Sequence, residues 1–365
     1  MAMYYPQDTP IEIGPTGVVP GSQYLENRDE LFGAPRVWEE EPDLGVRDSP
    51  RHLPAGSDTE GLPACGTAGT VTFIHFDLWH RAFPNQTDKV RYMMKFQFTR
   101  MSEPDKPYWN RRREEIDLGD LADDPRSAMW RNMWHWLSGG GPAAPREERA
   151  DQIEMLARKL THELEEIRLH AGYTIAEYGE PALPHLLKAL EHDNNDVQRD
   201  ACYGLCALGS FAVEPLVSLL GHPNERFRGY AAYALGDIRP DSKSVGESLV
   251  SCLDDPSPFV RQNAADALGQ IKRNADSAVP ALIRSMNDED GEVRYKTAYA
   301  LARFGEDAQA AIPVLADAIY DDNRYAQGHA AVALEQIGTP EALSALLHWL
   351  QASRWCPVTT SKSTF

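Results

Sequence analysis

The sequence predicts a multi-domain β-plus-α chain: a β-rich N-terminal part, then an α–α solenoid of paired helices. Three observations lead there. Short runs of β-branched and aromatic residues, set off by Gly and Pro, fill roughly the first hundred residues. From about residue 149 the chain turns Ala- and Leu-rich with helical spacing. That second part repeats itself every 30–33 residues.

Taken in order, "GPTGVVPGSQY" (14–24) places a Val pair between Gly and Pro punctuation. "VTFIHFDLW" (71–79) and "VRYMMKFQF" (90–98) read as two strands joined by a turn. Residues 25–66 are polar and Pro-rich, which predicts a long loop or lid. "PRSAMWRNMWHWLSGGG" predicts a short helix on which Trp130 and Trp134 share a face, with Trp136 nearby. Glycines 139–141 and "PAAP" end it. The expected domains are 1–105, a connector 106–148, repeats 149–351 and a tail 352–365.

The repeats align on Ile167, Val197, Phe227, Val260, Val293 and Ala326, which gives six units. Each holds a helix of small residues, a break, and a second helix. Pro184, Pro215, Pro280 and Pro313 are expected at the starts of the second helices, where a missing N–H costs nothing. This array resembles the HEAT-repeat family over about residues 150–351. The resemblance implies a curved surface that docks a protein partner. Some HEAT proteins are di-iron hydroxylases that carry His-Glu pairs at matching places. Here those places read His170-Ala171, Asp200-Ala201, Tyr230-Ala231, Asn263-Ala264, Lys296-Thr297 and His329-Ala330, and the lone His162-Glu163 is out of register. Others resemble bilin-chromophore lyases, which the repeat pattern does not separate from scaffolds. Arg168, Arg228, Arg261 and Arg294 recur in register. They form either a basic ladder for an acidic partner or a stacked Arg–carboxylate ladder. Acidic runs at the unit junctions favour the second.

Bulk properties narrow the function. The chain has 365 residues, 42% hydrophobic and 25% charged, with a formal net charge of −19. Such acidity argues against non-specific binding to nucleic acid or to anionic membranes. The basic stretch "NRRRE" (110–114) reads as a solvated turn. Cys65, Cys202, Cys206, Cys252 and Cys356 form no CxxC pair. Cys202 and Cys206, one helical turn apart, are expected as core thiols rather than metal ligands. Neither a signal peptide nor a run of 18 apolar residues is visible, so a cytoplasmic protein with no membrane span is expected.

The stretch from Gly69 to Arg100 carries the chemistry. A non-haem Fe(II) oxygenase holds iron with two His and one carboxylate. A 2-oxoglutarate enzyme also needs a cation for the far carboxylate, for which Arg's planar fork is suited. On adjacent antiparallel strands, His80 at the end of one and Arg91 at the start of the next would face one cavity. His75 and Asp77 form an HxD by letter, but with period two they share a face that His80 does not.

The order strand, "GT" turn, His80, Asn85 and Arg91 resembles the distal half of a phytanoyl-CoA dioxygenase-type domain, over about residues 1–105. "PGSQ" (20–23) resembles that family's "PGSH" loop, with Gln23 where His is common. The resemblance implies a partial double-stranded β-helix (a cupin-like jelly roll) and Fe(II)/2-oxoglutarate-dependent hydroxylation. His80 would be the distal iron ligand, Arg91 the 2-oxoglutarate anchor and Asn85 a turn residue beside the site. His75 and Asp77 are the weaker candidates for iron. The family's first His-x-Asp pair belongs upstream of the "PGS" loop, and the residues before Pro20 hold no His. A chain that starts late, a degenerate domain or strands from another chain would each account for this, the first two being preferred. The alternative function is a non-catalytic HEAT scaffold with a vestigial β-domain.

Overall fold

Two compact units divide the chain, Met1–Met101 and Ser102–Phe365. The computed structural model describes residues 1–18, 62–75, 78, 80–96, 98, 100, 103–110, 112–140, 147 and 149–352. Gln23 with its loop, most of 25–66, Asp77 and the tail 353–365 lie outside the described residues.

In the first unit, β1 (Ala2–Tyr4), β2 (Thr16–Val18), β3 (Leu62–Pro63), β4 (Val71–Phe73), β5 (His80–Ala82) and β6 (Met94–Phe96) form two antiparallel three-stranded sheets. Their orders are β4-β1-β6 and β3-β2-β5. The two long strands expected from the sequence are thus each cut short. The first breaks after Phe73, and its continuation joins the other sheet as β5. β4 and β6 never pair with each other, because both flank β1. These two small sheets do not amount to a jelly roll among the described residues.

Register assigns the two faces of the first sheet. Ala2 lies opposite Phe73 and Phe96, and Tyr4 opposite Val71 and Met94. Met3 lies opposite Thr72 and Lys95 on the other face. Met3 and Tyr5 are buried, whereas Phe73 is 75% exposed and Val71, Met94 and Phe96 are also open. The core of this unit therefore sits on the Met3 side.

The second unit is a helical-repeat solenoid. α1 (Ser127–Leu137) and α2 (Ala150–Lys159) precede it. One layer stacks α3 (Glu165–Ala176), α5 (Asn195–Leu208), α7 (Glu225–Ile238), α9 (Pro258–Ile271), α11 (Gly291–Phe304) and α13 (Arg324–Ile337). The other holds α4 (Leu183–Leu190), α6 (Val213–Leu219), α8 (Lys243–Cys252), α10 (Ala275–Ser285), α12 (Ile312–Ala318) and α14 (Pro340–Ala352). Leu205, Leu235, Leu268, Leu301 and Leu334 recur eight residues after their anchors and are all buried. Each such leucine contributes about 1.5–3 kcal/mol. Small residues set the spacing between units. A Cβ at Gly236 would lie 2.7 Å from the Ala267 Cα, and one at Gly269 the same distance from the Ala300 Cα. Neighbouring backbones meet there, so alanine at either glycine has no room.

Asn194, Asn224, Asp290 and Asn323 cap their helices by accepting backbone N–H groups. Pro184 and Pro313 open their helices as expected, but Pro280 lies inside α10. α10 starts early, at Ala275, so its proline falls a turn and a half in and removes one ladder hydrogen bond. The stretch Asn195–Leu219 is long and apolar enough to cross a membrane by composition. A turn from Gly209, with φ +67°, divides it into α5 and α6, the two helices of one repeat.

The recurring arginines are structural. Arg228, Arg261 and Arg294 each grip the carboxylate of the next unit, Asp255, Asp288 and Asp321, with Nε bonds of 2.7, 2.7 and 2.8 Å. Nη2 closes each fork at 2.8–2.9 Å. Nη1 donates to two carbonyls of the loop before its own helix, as Arg261 does to Asp255 and Pro256. The gripped aspartates also accept the N–H two residues on. Earlier units put a histidine at that turn position. His162, His192 and His222 take the same N–H through Nδ1 at 3.0, 3.0 and 3.1 Å. His162 is therefore a turn residue.

Candidate functional site

The site expected from the sequence is dispersed in the first unit. His80 opens β5 opposite Val18, is exposed, and shares a 2.7 Å hydrogen bond with the Leu78 carbonyl through Nδ1. Arg91 belongs to the irregular run before β6, and its Nη1 donates to the Gly14 carbonyl. His80 and Arg91 are thus not on adjacent strands of one sheet. The strand that was to join them is broken, which also removes the parity argument against His75. His75 lies past the end of β4 and is exposed. Among the described residues, no group of three His, Cys, Asp or Glu is placed to hold a metal ion.

Asn85 is a turn residue, as expected. Its side-chain oxygen accepts the Thr87 N–H and hydroxyl at 2.9 Å, and its amide donates to the Lys89 carbonyl at 2.7 Å. This turn rests on Gly14. A Cβ there would come within 2.3 Å of the Phe83 oxygen, and Gly14 has φ +76°. Only glycine lets the Gly14 carbonyl reach Arg91 while the 83–85 backbone lies against it.

Arg91 has chemistry in reserve. Lys95, within β6, lies opposite Met3 on the same face of the sheet. Partial burial and the nearby Arg91 charge push the Lys95 pKa below the ordinary lysine range. Burial raises the Tyr5 phenol, and Arg91 pulls it back. Among the described residues no carboxylate pairs with either cation. Arg91's guanidinium is the kind of group that holds a small carboxylate in a planar fork. The residues for iron are not assembled in the same way, and no oxidative step is derived from them. An open depression of about 490 Å³ is lined by Gln7, Asp8, Ile13, Lys89, Val90 and Tyr92. Neither Arg91 nor His80 lines it, because Arg91 turns towards Gly14.

The second unit holds a site the sequence reading missed. Six residues after the anchors, the units carry Tyr173, Tyr203, Tyr233, Asp266 and Tyr299. At 100° per residue this position lies far around the helix from the side that meets the second layer, on the face that the 103–125 segment partly crosses. Tyr173, Tyr203, Tyr233 and Tyr299 are half-buried. Burial pushes the phenols of Tyr173, Tyr203 and Tyr233 well up. The Tyr203 and Tyr233 rings meet edge to face at 6.1 Å. Lys296 Nζ lies 3.6 Å from Asp266, and His329 packs 5.0 Å from both Tyr295 and Tyr299. The signal was present in the repeat register, which aligns four tyrosines in one column.

No curated protein matches this chain. Among solved structures, an engineered protein is 26% identical over 51% of this chain and 96% of its own, with a TM-score of 0.37. Computationally designed armadillo repeat proteins for modular peptide recognition are 22% identical over 50% of this chain and 91% of their own (TM-score 0.38). The CpcE–CpcF complex of phycocyanin lyase from Nostoc sp. PCC7120 is 21% identical over 42% and 98% (TM-score 0.38). Residues 183–246, 212–293, 246–334 and 279–360 match the family model for HEAT repeats. Residues 2–93 match that for phytanoyl-CoA dioxygenase (PhyH), so the chain joins a PhyH-like segment to HEAT repeats.

Proposed function

We propose that this chain is a docking protein whose solenoid binds a protein partner along the tyrosine-bearing face of the α3–α13 layer. The tyrosine row carries this reading. Tyrosine supplies large, amphipathic contact area at low entropy cost and is enriched at interface hot spots. Tyr203 and Tyr233 are already ordered against each other, so little side-chain freedom remains to be lost on binding. Peptides selected from a random library on the full chain should bind at least about tenfold more weakly to Tyr203→Ala and Tyr233→Ala, the range of a hot-spot truncation. Unchanged affinity in both variants would move the docking surface elsewhere.

The β unit is read as a phytanoyl-CoA dioxygenase-like segment, matched over residues 2–93, that keeps a carboxylate anchor. Arg91, without a carboxylate among the described residues, supports this second reading. The lineage activity is Fe(II)/2-oxoglutarate-dependent hydroxylation, for which the chain offers His80 and, among the described residues, no assembled ligand set. The alternative is a vestigial β unit on a scaffold. Anaerobic calorimetry with 2-oxoglutarate, with and without Fe(II), separates them. Metal-independent binding that falls at least about tenfold in Arg91→Ala, the loss of one charge-assisted fork, supports the anchor. No heat at millimolar 2-oxoglutarate would leave the scaffold alone.

A further inference from the structure

Glu103, at the start of the second unit, is held by three side chains. Arg303 Nη2 donates to its Oε1 at 3.2 Å, and Arg239 Nη1 lies 3.1 Å from the same oxygen. The Trp136 indole N–H donates to Oε2 at 2.9 Å. The two arginines come from the solenoid, and Trp136 comes from α1. Backbone packing ties the segment down: a Cβ at Gly139 would lie 2.3 Å from the Asp105 carbonyl carbon. Further along, the Pro125 carbonyl meets His170 Nδ1 on α3 at 2.9 Å. The connector therefore runs over the helix layer that carries the tyrosine row, from the ends of α7 and α11 back to α3.

The charges at this point are unequal in their need. The Arg303 side chain is only 5% exposed. Its Nε donates to the Gly269 carbonyl and its Nη1 to the Tyr299 hydroxyl, so its remaining edge needs an anion. Among the described residues, Glu103 alone supplies a carboxylate to it. Arg239 has Asp237 beside it as a second acid. Arg239 is the left-handed C-cap of α7 (φ +51°), as Lys272 is of α9. A buried guanidinium stripped of its carboxylate is strongly unfavourable. The connector can thus leave this face readily only if another carboxylate takes its place. Glu103, 33% exposed, is within reach of such an exchange.

We infer that Arg303 and Arg239 form a carboxylate clamp, occupied in cis by Glu103, at which an extended acidic peptide docks by displacing the connector. The inference rests on the docking reading and deepens it: the partner carries a carboxylate next to aromatic or apolar residues, as "SEPDKPYWN" (102–110) does itself.

The test uses the full chain and a fluorescently labelled peptide of residues 102–110, read by anisotropy, with helix content checked by circular dichroism. Glu103→Gln protein should bind the peptide at least tenfold more tightly than wild type. A peptide carrying the same Glu→Gln change should lose that gain. Equal affinity of both peptides, or no binding at millimolar peptide, overturns the clamp. If Glu103→Gln loses helix content, Trp136→Phe replaces it, loosening the strap while keeping the charge. A smaller gain in peptide affinity then supports the clamp, and no gain overturns it. Library peptides that depend on Tyr203 while the 102–110 peptide fails to bind would leave the docking face standing without the clamp. Peptide 102–110 binding that ignores Tyr203→Ala and Tyr233→Ala would keep the clamp and remove the tyrosine row.

Discussion

Asp200→Ala is expected to destabilise the first repeats by about 3–5 kcal/mol, the cost of breaking a buried ion pair from one side. Asp200 is 1% exposed at its side chain and lies between Arg168 and Arg199, which are 4% and 6% exposed. It accepts from Arg168 Nε at 2.7 Å and from Arg199 Nε and Nη2 at 3.0 and 2.8 Å. Removal strands the Arg168 guanidinium, and Arg199 falls back on Glu165 at 2.9 Å. Burial pushes the Asp200 carboxyl up against the pull of both arginines. The attraction thus offsets a large desolvation cost, and an apolar replacement of the whole cluster would cost far less than losing one member. The exposed pair Arg158–Glu154, at 78% and 56%, is the control. Arg158→Ala should change stability by under about 0.5 kcal/mol. Hydrogen exchange of α3 and α5 in urea reads both. A loss below about 1 kcal/mol for Asp200→Ala, within the range of an exposed pair, would mean the cluster contributes little.

Stability is also expected to fall steeply above about pH 10, the ordinary ionisation of tyrosine in an unfolded chain. Burial raises the Tyr173, Tyr203 and Tyr233 phenols well above that value, and it brings the almost fully buried Tyr230 to about 12. A raised folded pKa means that the folded chain holds its phenolic protons longer than the unfolded one. The stabilisation is complete below pH 10 and is lost as pH rises through the folded values. Tyr230 alone, with its folded value pushed up to about 12, accounts for about 3 kcal/mol once pH has passed that value. The phenolate absorbance should rise in stages, the last coinciding with loss of helical circular dichroism. Complete ionisation with the helices intact would show that the tyrosine-bearing face is wetter than its geometry implies.

The two predictions differ in how far a reader of the sequence had to go. The Arg ladder was expected because Arg228, Arg261 and Arg294 share a register and acidic runs follow each unit. A repeat makes each contact recur, so one period supplies both partners of the next bond. The buried leucines, the capping Asn and Asp residues and the close Gly–Ala approaches follow from the same period. The tyrosine row is equally legible in that register, once the column six residues after the anchors is read across units.

The N-terminal unit shows the opposite case. Alternation along 71–79 and 90–98 predicted strands, and short strands are there. Which strand pairs with which is a long-range matter, decided by β1 inserting between β4 and β6. No local pattern encodes that choice, because one period of alternation suits any partner in register. The same holds for Glu103, whose partners Arg239 and Arg303 lie far away in sequence. The sequence by itself determined the repeat, its helices and the ladder between units, since these depend on contacts a fixed distance apart along the chain. Only the tertiary structure decided that Arg91 turns to the Gly14 carbonyl rather than standing beside His80, and that Glu103 closes on the solenoid. Those contacts depend on how distant segments pack, and spacing alone carries no trace of them.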